Sequence, residues 1–142
     1  MAKTAVDVSL VLTLPVTAST QAETIQVTNF TVDGSAVKHN FVDTTRVNQK
    51  YGTDGSSETF KNPNKAKFIE FTVVPLSEID IKLSKFIFAD SATGMVVSLK
   101  DRNMDYGLLS EDGYFDQTPD NDIQANPDYK TYRILVGTYI ET

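Results

Sequence analysis

The chain has 142 residues, a length typical of one domain that can bury a core of its own. It contains no cysteine, which excludes a disulfide framework and thiol chemistry. Its net charge of −6 argues against a protein that grips nucleic acid, because such proteins neutralise phosphate with lysine and arginine. No apolar run approaches the roughly 18 residues of a membrane-spanning helix.

Alternating apolar side chains predict a half-buried strand over Ala5–Leu14. A signal peptide is the rival interpretation, but its apolar region has no reason to alternate, and Asp7 lies where a charge is unfavourable. A second strand is expected over Thr24–Asp33. Its alternation changes phase between Val27 and Phe30, which indicates a bulge or two short strands.

The Asp33–Gly34 pair predicts a hairpin turn into a third strand over Ser35–Asp43. Alternation places Val37, His39 and Phe41 on one face of that strand. His39 is the single histidine, with no cysteine or second histidine to share a metal ion. We therefore expect an ordinary strand residue whose ring is solvated or hydrogen-bonded.

The segment from Asp43 to Asn62 is long and mostly polar, which is uncommon inside a compact domain. Its Gly52-Thr53-Asp54-Gly55 sequence predicts a turn, since glycine adopts positive φ without steric cost. The segment is expected to form either a solvent-exposed hairpin or a projecting functional loop.

A strand is predicted over Ala66–Val74, and it ends at Pro75 because proline cannot donate to the ladder. Ser77 and Asp80 then have the spacing of a capping box, with aspartate in place of the usual glutamate. The following residues predict a helix over about 77–89, with a strand as the alternative. On a helix, one face collects four apolar residues: Ile79, Leu83, Phe86 and Ile87.

That helix leaves Ile81 and Phe88 on the opposite side. In an isolated domain this side faces solvent. The two residues are expected either to contact a neighbouring subunit or to lie under a loop of the same chain.

After a turn at 90–94, a strand is predicted over Met95–Leu99 and another over Tyr129–Ile140. Between them, Asn103–Tyr129 contains no lysine or arginine. Three interpretations stay open: a solvated acidic loop, a calcium site, or a negative surface that faces DNA or a partner. The EF-hand spacing is absent. The acidic candidates are Glu111, Asp112, Asp116, Asp120 and Asp122.

The elements add up to a mainly β fold, an antiparallel sandwich or barrel of about seven or eight strands with one flanking helix, in a single domain over 1–142. Nothing in the sequence predicts an enzyme, a metal site or a cofactor. One histidine without a serine and aspartate constellation is no triad. The turn at 52–55 lacks the lysine of a phosphate-binding loop, and no tryptophan offers a sugar platform.

Several short motifs make the chain from about Arg46 to Tyr139 resemble the tail tube proteins of tailed bacteriophages. They are the turn at 52–55, the strand Phe68–Val74, Ser77, the segment Ile79–Phe88, and the strands Val96–Asp101 and Tyr132–Val136.

The resemblance implies a structural virion protein, made in the host cytoplasm, whose hexameric rings stack into a hollow tube through which DNA passes without specific binding. Tail sheath or other tail proteins are further implied partners, no membrane is involved, and a contractile injection system is a related option. The long segment at 43–62 is then expected to contact the next ring through Arg46, Lys50, Asp54, Glu58 and Lys61.

The alternative is a monomeric β-sandwich that binds carbohydrate or a protein on a cell surface. Acidic loops that hold calcium would favour it, whereas the missing tryptophan and calcium spacing argue against it.

Overall fold

The computed structural model describes residues 8–15, 23–27, 37–89, 94–117, 119 and 129–142. Within these residues it has ten strands and one helix. In chain order they are β1 Val8–Leu14, β2 Glu23–Val27, β3 Val37–Phe41, β4 Val47–Tyr51, β5 Ser57–Lys61, β6 Lys67–Val73, α1 Glu78–Ala89, β7 Met95–Asp101, β8 Tyr106–Gln117, β9 Lys130–Val136 and β10 Ile140–Glu141.

Eight strands form one antiparallel sheet in the order β2-β1-β7-β8-β9-β6-β3, with β10 paired to β8. The other two, β4 and β5, form a separate hairpin. The predicted mainly β, antiparallel fold with one helix is therefore confirmed, and the hairpin adds two strands to the predicted number. Among the described strands, β2 and β3 each pair with one neighbour, so the sheet is not closed into a barrel.

Period-two alternation explains why one face of the sheet is buried. In β6, Ile69, Phe71 and Val73 are fully buried, while the side chains between them are half-exposed. Tyr132 and Ile134 continue this inward face on β9, where register pairs them with Phe71 and Ile69. The strands predicted over Ala66–Val74 and Tyr129–Ile140 are therefore confirmed as β6 and, up to Val136, as β9.

The sheet bends back over itself, although its strands follow one continuous path. Three strands separate β3 from β7 in the sheet order, yet His39 on β3 lies 3.1 Å from Asp101 at the end of β7. The apolar inward faces of the two halves thus meet in one core.

The strand predicted over 24–33 is β2. Its expected bulge and the turn at Asp33–Gly34 lie outside the described residues. Residues 90–93 of the turn predicted at 90–94 also lie outside them.

Strand β8 corrects the expectation of a loop in the acidic region. Its twelve residues pair first with β7 and β10 and then with β9, so it links the two halves of the sheet. The sequence did not predict this strand, because glycines at its inward positions weaken the alternation of apolar and polar residues. Gly113 is required there, since a Cβ would lie 2.5 Å from Cγ2 of Val97.

Helix α1 begins after Ser77, whose hydroxyl oxygen accepts a hydrogen bond of 3.3 Å from the Asp80 amide. All four residues of the predicted apolar face are buried, and the ring of Phe86 lies 6.4 Å from that of Phe115 on β8. The helix interpretation is confirmed over the strand alternative. An ion pair of 2.6 Å between Lys82 and Glu23 also joins the helix to edge strand β2.

The described chain contains no helix long and apolar enough to cross a membrane.

Candidate functional site

The β4–β5 hairpin extends from the sheet, and every residue of both strands is exposed. Register pairs Val47 with Lys61 at its base and Tyr51 with Ser57 near its turn. A two-stranded hairpin is at best marginally stable alone in water, so exposure on both faces is unusual unless a partner covers one of them. The segment predicted at 43–62 therefore offers two uncovered surfaces.

The turn of the hairpin is closed by its own residues. Gly55 has φ of +88°, the left-handed conformation that favours glycine. The carboxylate of Asp54 accepts hydrogen bonds from the Ser56 amide at 3.0 Å and the Ser56 hydroxyl at 2.7 Å. The hydroxyl bond is the main reason why the pKa of Asp54 is lowered. Asp54 is one of the five predicted inter-ring residues, and its carboxylate is thus hydrogen-bonded within the turn.

The base of the hairpin is held by Arg46, another of the predicted inter-ring residues. Its guanidinium donates to the carbonyl oxygens of Asp43 at 3.0 Å, Asn64 at 2.7 Å and Asn62 at 3.2 Å. It also lies 4.0 Å from the centre of the Phe41 ring. Arg46 therefore fixes the direction of the hairpin, and few of its hydrogen-bond donors remain for a neighbouring subunit.

The remaining predicted residues divide between the two faces of the hairpin, because directly paired residues share a face. One face, here called the tyrosine face, consists of Val47, Gln49, Tyr51, Ser57, Thr59 and Lys61. Tyr51 is 73% exposed, and its hydroxyl donates to Gln49 at 2.6 Å. The opposite face consists of Asn48, Lys50, Glu58 and Phe60. Lys50 and Glu58 lie directly opposite each other, so their charges offset.

Helix α1 exposes the two residues predicted to contact a neighbour. Ile81 is 42% and Phe88 is 72% exposed. No loop among the described residues buries either side chain. Leu76, just before the helix, is also exposed, with φ of +62°. Isolated exposed apolar residues are ordinary, but this side of the helix offers several.

Beneath the helix, Asp80 forms a buried polar cluster. Its carboxylate lies 2.8 Å from the ammonium of Lys130 on β9, and it accepts hydrogen bonds from the Tyr132 hydroxyl and, at 2.7 Å, from the Leu76 amide. Burial alone would raise the pKa of Asp80, but these donors outweigh it and the pKa is lowered. Burial and the neighbouring carboxylate both raise the pKa of Tyr132.

A second polar cluster closes the opposite end of the folded sheet. The His39 ring stacks on Tyr106 with 5.3 Å between ring centres, and its Nε2 lies 3.1 Å from Asp101. Lys67 donates to the Tyr106 hydroxyl at 2.7 Å and lies 3.4 Å from Glu141. Burial lowers the pKa of Lys67, yet these partners outweigh burial and raise it overall. The expectation of a hydrogen-bonded histidine on a strand is confirmed.

A cleft of about 430 Å³ lies beside this second cluster and is lined by residues that include Val8, Val37, Phe41 and Met104. Its volume is within the range of small-molecule sites. However, the polar groups of His39, Asp101 and Lys67 that border it already pair with each other or with neighbouring side chains. No group of three or more metal-ligating side chains occurs in the described residues. The cleft therefore offers little for recognising a ligand.

The described acidic candidates lie on β8. Glu111, Asp112 and Asp116 are exposed there, whereas Asp120 and Asp122 lie outside the described residues. Asp116 forms an ion pair of 3.3 Å with Arg133 on β9. Asp112 accepts a hydrogen bond that raises the pKa of the Tyr114 hydroxyl.

Sequence reasoning missed the buried charges Lys67, Lys130 and Asp101. Each continues the inward phase of a strand whose other inward residues are mainly apolar. A charged residue at such a position is the signal that predicts a buried polar cluster, because it must find a partner inside.

No protein-family model and no curated protein sequence matches this chain.

Proposed function

We propose that this protein is a structural subunit of a bacteriophage tail tube, in which hexameric rings stack into a hollow tube for DNA passage. The observation that carries the proposal is a hairpin exposed on both faces, extending from a compact β domain in which each edge strand pairs with one strand among the described residues. The hexameric number and the tail context come from the sequence resemblance. The surfaces that the structure leaves uncovered support assembly with further copies of the chain.

Ring formation uses the two edge strands. β2 and β3 lie at opposite ends of the sheet path, each is five residues long, and each pairs with one described strand. An unpaired edge exposes backbone donors and acceptors that readily pair with another chain. If β3 of one copy pairs with β2 of the next, the contact is heterologous, and repetition closes a ring.

The other uncovered surfaces complete the assembly. Ile81 and Phe88 on the outside of α1 pack against the neighbouring subunit, where burial of their side chains contributes to association. The hairpin contacts the next ring. In this proposal the protein has no catalytic role and no cofactor, and its net charge of −6 keeps DNA from adhering during passage.

Size-exclusion chromatography with light scattering tests this proposal across a concentration series of the purified chain. The proposal predicts a species of six subunits, or larger multiples of six, that grows with concentration at the expense of the monomer. A protein that remains monomeric at every concentration would contradict it and would favour the monomeric binding module.

The variant Phe88→Ser separates assembly from folding in the same experiment. Phe88 is exposed, so its replacement is expected to weaken the oligomer without unfolding the subunit. Circular dichroism of the variant provides the control for folding.

A further inference from the structure

The tyrosine face of the hairpin combines apolar surface with positive charge. It presents Val47 and Tyr51 together with Lys61, and it contains no carboxylate. Lys61 has no ion-pair partner among the described residues. No described part of the same chain covers this face, because every residue of β4 and β5 is exposed. A surface that is apolar and negatively charged would therefore complement the tyrosine face.

The outer face of β8 has this composition. Leu109 pairs directly with Ile140 on β10, and their side chains are 45% and 66% exposed. Tyr114 adds an exposed ring further along the strand, and Glu111 and Asp112 lie between these apolar groups. We call these five residues the β8 strip. Within the described chain neither Glu111 nor Asp112 has a cationic partner, in contrast to Asp116, which pairs with Arg133.

We propose that the tyrosine face of one copy docks on the β8 strip of a second copy. This inference rests on the proposed function and deepens it, since it names the surface that receives the hairpin. Apolar groups on both sides are buried together, and Lys61 meets the carboxylates of Glu111 and Asp112. Complementary charges of this kind set the register and the rate of association.

Charge also determines which surfaces pair. Two tyrosine faces in contact would place two lysines and no carboxylate in one interface, and two β8 strips would place four carboxylates and no cation there. Like charges across an interface oppose association. The favourable contact is therefore between two different surfaces of the chain. Such heterologous contacts continue from copy to copy, which is the requirement for a stack without a fixed end.

A charge reversal on the hairpin tests the contact. The variant Lys61→Glu places a negative charge opposite the β8 strip, and we expect the concentration needed for stacking, measured by light scattering, to rise about tenfold or more. The control is Asn48→Glu, which adds a negative charge on the opposite face of the same hairpin and leaves Lys50 opposite Glu58, and it is expected to change this concentration less than about twofold. Adding Glu111→Lys and Asp112→Lys to the Lys61→Glu chain is expected to restore stacking.

Cysteine cross-linking provides a second test, because the natural chain has no cysteine. A chain with Thr59→Cys on the tyrosine face is mixed with a chain carrying Leu109→Cys on the β8 strip. Oxidation is expected to produce the mixed dimer. The control chain Phe60→Cys presents its thiol on the opposite face, and it is expected to give much less of that dimer.

The outcomes separate this inference from the proposed function. If the natural chain forms stacked rings, but Lys61→Glu and Asn48→Glu stack equally well and Thr59→Cys cross-links no better than Phe60→Cys, the tyrosine face is not the contact and this inference is overturned. The tube proposal then stands. If the natural chain forms no oligomer and the Thr59→Cys and Leu109→Cys chains give no mixed dimer, both are overturned.

Discussion

The ammonium of Lys130 lies 2.8 Å from the carboxylate of Asp80, and this pair joins the start of β9 to the first turn of α1. Both side chains are almost fully buried. The carboxylate also accepts from the Tyr132 hydroxyl, whose ring belongs to the core. The helix is therefore attached to the sheet by a polar contact as well as by its apolar face.

Removing the lysine of this pair is expected to destabilise the fold strongly. Lys130→Met leaves a carboxylate buried without its counter-charge, which typically costs about 3–5 kcal/mol of the free energy of unfolding. Urea unfolding followed by circular dichroism measures the change. Lys85→Met, on the exposed side of the same helix, is the control and is expected to stay within about 0.5 kcal/mol. Equal effects of the two substitutions would show that the pair contributes little.

The pH dependence of stability should follow the depressed pKa of Asp80. A carboxyl whose folded pKa is below its unfolded value of 3.8 stabilises the fold above that value, and this stability is lost as the pH falls through the folded pKa. Asp80→Asn is expected to lower stability near neutral pH and to reduce its decline below about pH 4. Thermal unfolding of both proteins between neutral pH and pH 2 tests this. A variant that declines as steeply as the natural chain would argue against Asp80 as a main cause.

Arg46 is expected to control the order of the hairpin without controlling the fold. Arg46→Ala removes three hydrogen bonds to backbone carbonyls and the contact with Phe41. Hydrogen exchange at the amides of β4 and β5 should then become faster, while exchange in β6 and β9 stays unchanged. Arg46→Lys tests the geometry, since an ammonium cannot reproduce the planar guanidinium, and an intermediate effect is expected. Unchanged exchange in both variants would contradict the assigned role.

The two sides of helix α1 are expected to respond differently to substitution. Leu83→Ala creates a cavity in the core and typically costs about 2–5 kcal/mol of stability. Ile81→Ser lies on the exposed side and should cost far less, yet it should weaken association of subunits. Urea unfolding measures the first effect and light scattering the second. If the Ile81→Ser protein associates as strongly as the natural chain, Ile81 does not contribute to the contact between subunits.

The apolar elements of the fold were predictable because their periodicity is undisturbed. Ile69, Phe71 and Val73 alternate without interruption, and Leu83 and Phe86 follow helical spacing, so burial reproduces both patterns. Strand β8 was not predictable from alternation. Its inward positions include Gly113, which the close approach of Val97 requires and which carries no apolar side chain.

The candidate surfaces were predictable only in part. The projecting position of 43–62 follows from its polar composition, but composition does not show which charges are satisfied internally. Arg46 and Asp54 are held by hydrogen bonds within the hairpin and its base, whereas Lys61 is exposed. Only the pairing register places Lys61 on the same face as Tyr51. The pairing of Leu109 with Ile140 likewise depends on the tertiary fold.

Cryo-electron microscopy of the 142-residue chain at high concentration shows whether the protein assembles as a tube subunit. We expect hollow tubes of stacked six-fold rings, in which β3 of one subunit lies beside β2 of the next. Monomers alone, or closed dimers that leave both edge strands unpaired, would contradict it.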